Sequence, residues 1–193
     1  MKLKYLLLVI VSFTINYRFL SAQSNCEKKI TVIRDEFTKD LKVVSEEVKI
    51  IDPSGKHFVN SLVTGENISD WSLSICFYKE NAELYFWLDH STTGGIASRV
   101  DHAYIKFTDN SVMEFRDPIE GKEIEDGPYT KYIISYFKIT EKDMNDFKDK
   151  TIQKVRVEFQ YQPREGIMDQ VISEKKAIYI KNLAGCFLNK ISR

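Results

Sequence analysis

A chain of 193 residues with 43% apolar, 12% aromatic and 29% charged side chains lies in the range of ordinary globular domains, which excludes the disordered and collagen-like classes. Basic and acidic residues balance at 28 each, so no long-range field favours phosphate backbones or anionic lipid. Nucleic acid is therefore not an expected partner.

Lys2 and Lys4 precede an apolar run from Tyr5 to Ile15, and small residues around Ala22 follow, the pattern of a secretory signal over residues 1–24 with cleavage after Ala22 or Ser24. The run is about half of the ~20 apolar residues that cross a bilayer, and Arg18 shortens it, so no stable membrane span is expected. Ser24-Asn25 before Cys26 is unlike the small-residue box that precedes a lipidated cysteine. Loss of Lys2, Lys4 and Arg18 leaves 25 basic against 28 acidic residues, a net charge of −3. The expected location is secreted or periplasmic. Residues 25–193 carry no repeat or proline-rich linker, and about 170 residues suit one β-rich domain.

In chain order, Ile30 to Phe37 and Val43 to Ile51 read as strands, and Asp52-Pro53-Ser54-Gly55 reads as a β-turn. Trp71, Leu73, Ile75 and Phe77 alternate with Ser72, Ser74, Cys76 and Tyr78, the period of a strand with one face in the core. The unbroken run Leu84-Tyr85-Phe86-Trp87-Leu88 reads as a strand buried on both faces. Ala103 to Phe115 reads as a hairpin around Asp109-Asn110-Ser111, with Phe107 opposite Met113 and Ile105 opposite Phe115. Tyr129 to Ile139 has apolar residues on both parities, as a central strand would. Thr140 with Asp143 three positions on starts a short helix that buries Met144 and Phe147. Val155, Val157, Phe159 and Tyr161 alternate with Lys154, Arg156, Glu158 and Gln160 in a further strand. Ala177, Ile180, Ala184, Phe187 and Ile191 form a helical stripe, weakened by Gly185, and a strand over Ala177 to Ile180 is the alternative. The fold class is α+β, mainly antiparallel β in a sandwich or curled sheet, with a short helix after Thr140 and a C-terminal helix.

Three cysteines remain after the signal: Cys26, Cys76 and Cys186. In an exported protein one pair is oxidised. Domain termini commonly lie close together, which favours Cys26 with Cys186. Cys76 with Cys186, or no bond, are the alternatives.

Phe107-Thr108-Asp109-Asn110 in a hairpin, Ile139-Thr140-Glu141-Lys142-Asp143 opening a helix and Ile152-Gln153-Lys154-Val155-Arg156 entering a strand together resemble a group of small exported bacterial β-rich proteins of unknown function. The resemblance covers the C-terminal half. It implies a secreted domain and supplies no catalytic residue. Asn110 stands where the group's pattern would have glycine.

The segment from Asp89 to His102 reads as a polar loop between strands and holds two of the three histidines, each directly after an aspartate. Imidazole and carboxylate donors at Asp89, His90, Asp101 and His102 are the ligand types of a metal site, although their spacing matches no recurrent motif. A hydrolase assembled from Ser91 or Ser98, His102 and Asp89 lacks a Gly-x-Ser-x-Gly elbow. The competing reading is a solvated connection. His57 after the Pro53 turn reads as exposed. Trp71, at a strand edge, is a candidate sugar-stacking ring, although its parity also suits the core; Trp87 reads as core. No catalytic residue, metal or cofactor is assigned. The expected role is a non-catalytic envelope or extracellular binding or structural module whose partner is a protein or a carbohydrate. The alternatives are a hydrolase or metal-dependent enzyme using the Asp89 to His102 segment, and an inhibitor or immunity-like protein-binding domain.

Overall fold

The structure is a computed structural model that describes residues 26, 28–34, 36, 40–51, 71–93, 100–125, 130–161 and 164–192. Among the described residues, eleven strands and two complete helices follow in the order β1 (Ile30–Arg34), β2 (Leu41–Ser45), β3 (Val48–Ile51), β4 (Trp71–Glu80), β5 (Glu83–Thr93), β6 (Val100–Phe107), β7 (Val112–Arg116), β8 (Ile119–Glu125), β9 (Thr130–Ile139), α1 (Glu141–Asp149), β10 (Ile152–Tyr161), β11 (Arg164–Val171) and α2 (Glu174–Ile191). Every strand pairing is antiparallel. The larger sheet runs β1-β2-β4-β5-β9-β8, with β3 also on β4; the smaller runs β11-β10-β6-β7. This is the expected α+β class. The turn at Asp52 to Gly55, His57 and the signal segment lie outside the described residues.

Alternation decides which face of each strand is buried. In β4, Leu73, Ile75 and Phe77 enter the core, and in β10, Val155, Val157 and Phe159 do so. The inner faces meet at Phe86 of β5 and Phe115 of β7, whose ring centroids are 5.1 Å apart. Phe147 of α1 touches rings of both sheets, at 5.2 Å from Phe77, 5.4 Å from Phe86 and 6.1 Å from Phe107. α2 buries Ala177, Ile180, Leu183, Ala184 and Phe187, and packs against α1, β10 and the β1 to β4 end of the larger sheet. One contiguous apolar cluster results.

Local chemistry sets the element ends. Thr140 caps α1 reciprocally with Asp143, as the sequence indicates, and Ser173 caps α2. The segment from Val43 to Ile51 is two strands instead of one, because the chain steps at Glu46-Glu47. Ser45 Oγ accepts the Phe77 N–H at 2.9 Å, a hydroxyl standing in for a ladder carbonyl. The first strand ends at Arg34 instead of Phe37.

The hairpin register also differs from expectation. Ile105 faces Met113 and Ala103 faces Phe115, because the three-residue loop is Thr108-Asp109-Asn110, one position earlier than Asp109-Asn110-Ser111. Asn110 N–H bonds to the Phe107 carbonyl at 3.1 Å, and Asn110 takes a left-handed φ of 66°. Asp109 Oδ1 accepts the Ser111 N–H at 2.9 Å and its hydroxyl at 2.6 Å. This is the type I turn plus left-handed residue of three-residue hairpins. Shifting the register by two leaves every side chain on its expected face.

Candidate functional site

The residues from Asp89 to His102 do not form one loop. Asp89 and His90 belong to β5 in the larger sheet, opposite Ser74 and Leu73, whereas Asp101 and His102 belong to β6 in the smaller sheet. Only 94–99, outside the described residues, separates the two strands. Asp101 is the extra residue of a bulge, since Phe159 pairs with Val100 and Glu158 with His102. His102 lies on the outer face of its sheet, and its Nδ1 is 3.2 Å from Glu158 Oε2, the residue opposite. Asp89 and Ser91 thus lie on the larger sheet and His102 on the smaller, and the start of β6 meets the larger sheet where the Val100 N–H donates to Ser135 Oγ at 3.0 Å. Among the described residues, no three His, Cys, Asp or Glu side chains converge as metal ligands would. Trp71 opens β4 opposite Thr92; its side chain, like those of Asp89 and His90, lies outside what the structure describes.

A cleft of about 490 Å³ lies between β7, the end of β9 and α1. Its carboxylates, and Arg116 and Lys138 among its cations, are already engaged. Glu114 pairs with Arg116, Lys138 with Glu83, and Asp146 Oδ1 with Lys150 Nζ at 3.0 Å, while Asp143 caps α1. Such a cleft offers no carboxylate in need of a partner.

The feature absent from the sequence reading lies on the outer face of the larger sheet. Cross-strand register brings Tyr78 opposite Tyr85, Trp87 opposite Cys76 and Tyr136 opposite Trp87. The Tyr78 ring lies 5.8 Å from Tyr85 and 6.0 Å from Trp87, with interplanar angles of 32° and 24°. Tyr136 meets Trp87 edge to face at 5.6 Å. Trp87 is therefore half-buried on the outer face instead of in the core. The run from Leu84 to Leu88 is not buried on both faces, because its even residues face the core while Tyr85 and Trp87 cover the outer surface. Ile119 beside Tyr136, 48% exposed, extends the apolar row to β8.

Charged pairs border these rings. Glu80 takes a 2.6 Å ion pair from Lys42 and a 2.8 Å bond from the Tyr78 hydroxyl. Glu83 is held in the same way by Lys138 and the Tyr85 hydroxyl. Lys42 and then Tyr78 hold the Glu80 carboxyl below the usual range, and Lys138 and then Tyr85 do the same for Glu83. Donation to Glu83, with some burial, pushes the Tyr85 phenol up to about 12. Burial first and Glu80 second push Tyr78 up as well. At neutral pH the border holds fixed carboxylates and neutral phenols. The Trp87 Nε1 is buried without a hydrogen-bond partner among the described residues.

Cys76, under Trp87, is fully buried and free. Burial pushes its thiol up to about 12, partly offset by its contact with Ser45, which makes it a packing residue instead of a nucleophile. Cys26 and Cys186 form the disulfide expected between the chain ends, with Cα atoms 5.3 Å apart. No helix among the described residues is long and apolar enough to cross a membrane. No protein-family model, curated protein or solved structure matches the chain, so the assignment rests on the site itself.

Proposed function

We propose that this chain is an exported bacterial, non-catalytic binding module whose working surface is the aromatic outer face of the larger sheet. The observation that carries the reading is the row of Tyr78, Tyr85, Trp87 and Tyr136, half-buried neighbours on the outer face of the larger sheet. A contiguous aromatic surface bordered by polar groups is the usual composition of a recognition surface. The charged start and apolar run of residues 1–24, the Cys26–Cys186 bond and the resemblance to small exported proteins all support secretion or a periplasmic location. A hydrolase or metal enzyme built on Asp89 to His102 is the weaker reading, because the sequence has no Gly-x-Ser-x-Gly elbow and no three His, Cys, Asp or Glu side chains converge among the described residues.

Two measurements test the proposal. Intact mass of the exported protein is expected to give a chain starting at Gln23 or Asn25, and a full-length cytoplasmic chain would overturn export. In Trp71→Phe protein, acrylamide quenching of Trp87 is expected to fall when a cell-envelope preparation is added. Unchanged quenching with envelope preparations of every kind would remove the aromatic face as a binding surface.

A further inference from the structure

We propose that the aromatic face binds a neutral oligosaccharide, with sugar rings laid on Tyr85, Tyr78 and Trp87 and their hydroxyls donating to Glu80 and Glu83; this rests on the reading of that face as the binding surface. A pyranose with equatorial hydroxyls is amphipathic by face. Its axial C–H bonds present an apolar, slightly positive surface, and its hydroxyls project around the edge. An aromatic ring, negative over its face, complements the first. Charged acceptors beside the ring complement the second, since hydrogen bonds to an ionised oxygen are about twice as strong as neutral ones.

Both parts are present in register. Tyr78 lies 5.8 Å from Tyr85 and 6.0 Å from Trp87 at shallow interplanar angles, and all three side chains keep part of their surface in solvent, so the solvent-facing parts of this row are where a sugar ring can lie. Glu80 and Glu83, opposite each other at the tip of that pair, are each oriented by a lysine and a tyrosine hydroxyl. An ordered carboxylate with unused lone pairs can accept from a sugar hydroxyl with little loss of side-chain freedom. Two further ligand classes fit less well. An anionic lipid surface needs an excess of basic groups, but Lys42 and Lys138 are each matched by a carboxylate. An acidic sugar would meet Glu80 and Glu83 with like charge. The surface therefore suits an uncharged glycan.

The test uses mature Trp71→Phe protein, titrated separately with cellohexaose and chitohexaose while Trp87 emission is followed. A saturable change with at least one of them is expected, and it should persist in high salt because neither partner's net charge drives it. Tyr85→Leu and Tyr78→Leu, checked for folding by circular dichroism, should each weaken binding by about tenfold, the equivalent of a stacked ring. If one variant fails to fold, the other carries the test. Glu83→Gln should weaken binding several-fold, and Ile167→Ser on the smaller sheet should leave it unchanged. No saturable change with either sugar, while an envelope preparation still shields Trp87, would overturn the glycan and leave the binding face. Shielding by phosphatidylcholine vesicles in place of sugars would overturn it in favour of a membrane surface. Absence of shielding by any of these would overturn both.

Discussion

The disulfide permits the most quantitative prediction. Its removal by the double substitution Cys26→Ala and Cys186→Ala frees a loop whose ends are 160 positions apart. In the chain-entropy account, closing such a loop restricts the unfolded chain by about 5 kcal/mol at 25 °C. That figure is a ceiling, because the uncrosslinked native state can relax. The relaxation has an identifiable location. Of β1, only Ile30 is buried, worth about 2 kcal/mol, whereas ordering its five residues costs about 1–2 kcal/mol each. Its other attachments include the ladder to β2 and packing against α2, and Lys29 just before it accepts the Glu46 N–H at 2.7 Å, pairs with the Glu46 carboxylate at 3.7 Å and lies over the Tyr179 ring at 3.8 Å. Without the crosslink, β1 is the element expected to detach first. We therefore expect urea denaturation to show a loss of about 3–5 kcal/mol, a fall in Tm of about 10 °C or more, and selective loss of amide protection over Thr31 to Arg34. A change below about 0.5 kcal/mol with β1 amides still protected would refute the reasoning. So would uniform loss of protection across β4, β5 and α2, which would place the disulfide's contribution in the core instead of at the edge.

Gly185 lies inside α2, where an added Cβ would meet Lys148 Cγ at 3.7 Å, an ordinary contact. Gly185→Ala should therefore stabilise by about 0.8–1 kcal/mol in thermal denaturation. Phe147→Ala removes the ring shared by both sheets and should cost about 3–5 kcal/mol by urea titration. Asn110→Gly should be neutral or slightly stabilising and Asn110→Ala should cost about 1 kcal/mol, since φ is 66° there. Arg156, and secondarily Lys154, hold the Asp169 carboxyl down to about 2. The depressed pKa means that the stabilisation is present above the unfolded value of about 3.9 and is lost as pH falls through about 2. Asp169→Asn should therefore cost up to ~1 kcal/mol at pH 7, for a partly exposed pair, and flatten the stability profile below pH 4. Cys76 should resist iodoacetamide in native protein and be the only thiol titrated after denaturation without reductant.

Most of the fold was legible because one physical rule, alternation of burial along a strand, operates locally. β4, β10, the Thr140 cap and the α2 stripe each carry their signal within about ten neighbouring residues. Leu183 escaped the stripe only because the spacing was followed through Ala184, its neighbour on the same buried side. What was illegible depended on partners distant in sequence. The step between β2 and β3 exists because Ser45 satisfies an amide of β4, and nothing in Val43 to Ile51 announces that acceptor. The hairpin was displaced by one residue because Thr108, Asp109, Asn110 and Ser111 are all competent turn residues. The choice among them is made by Asp109 bonding to Ser111.

The candidate site shows the same division more sharply. Clustering of histidine and aspartate along the chain suggested a functional loop, but adjacency in sequence is weak where a chain passes from one sheet to another. Asp89-His90 and Asp101-His102 end on different sheets. The aromatic face arises in the opposite way. Tyr78, Tyr85, Trp87 and Tyr136 come from three strands and become neighbours only through the pairing of β4 with β5 and of β5 with β9. One local sign was available. In the run Leu84 to Leu88 the odd positions are Tyr85 and Trp87, both amphipathic, while the even ones are Leu84, Phe86 and Leu88. A strand buried on both faces has little use for a phenol and an indole on one parity, because each polar tip would then need an internal partner. That chemical asymmetry puts the two rings on the outer face, where the Tyr85 hydroxyl reaches Glu83 although the Trp87 Nε1 stays buried, and the cross-strand register then determines which rings join them.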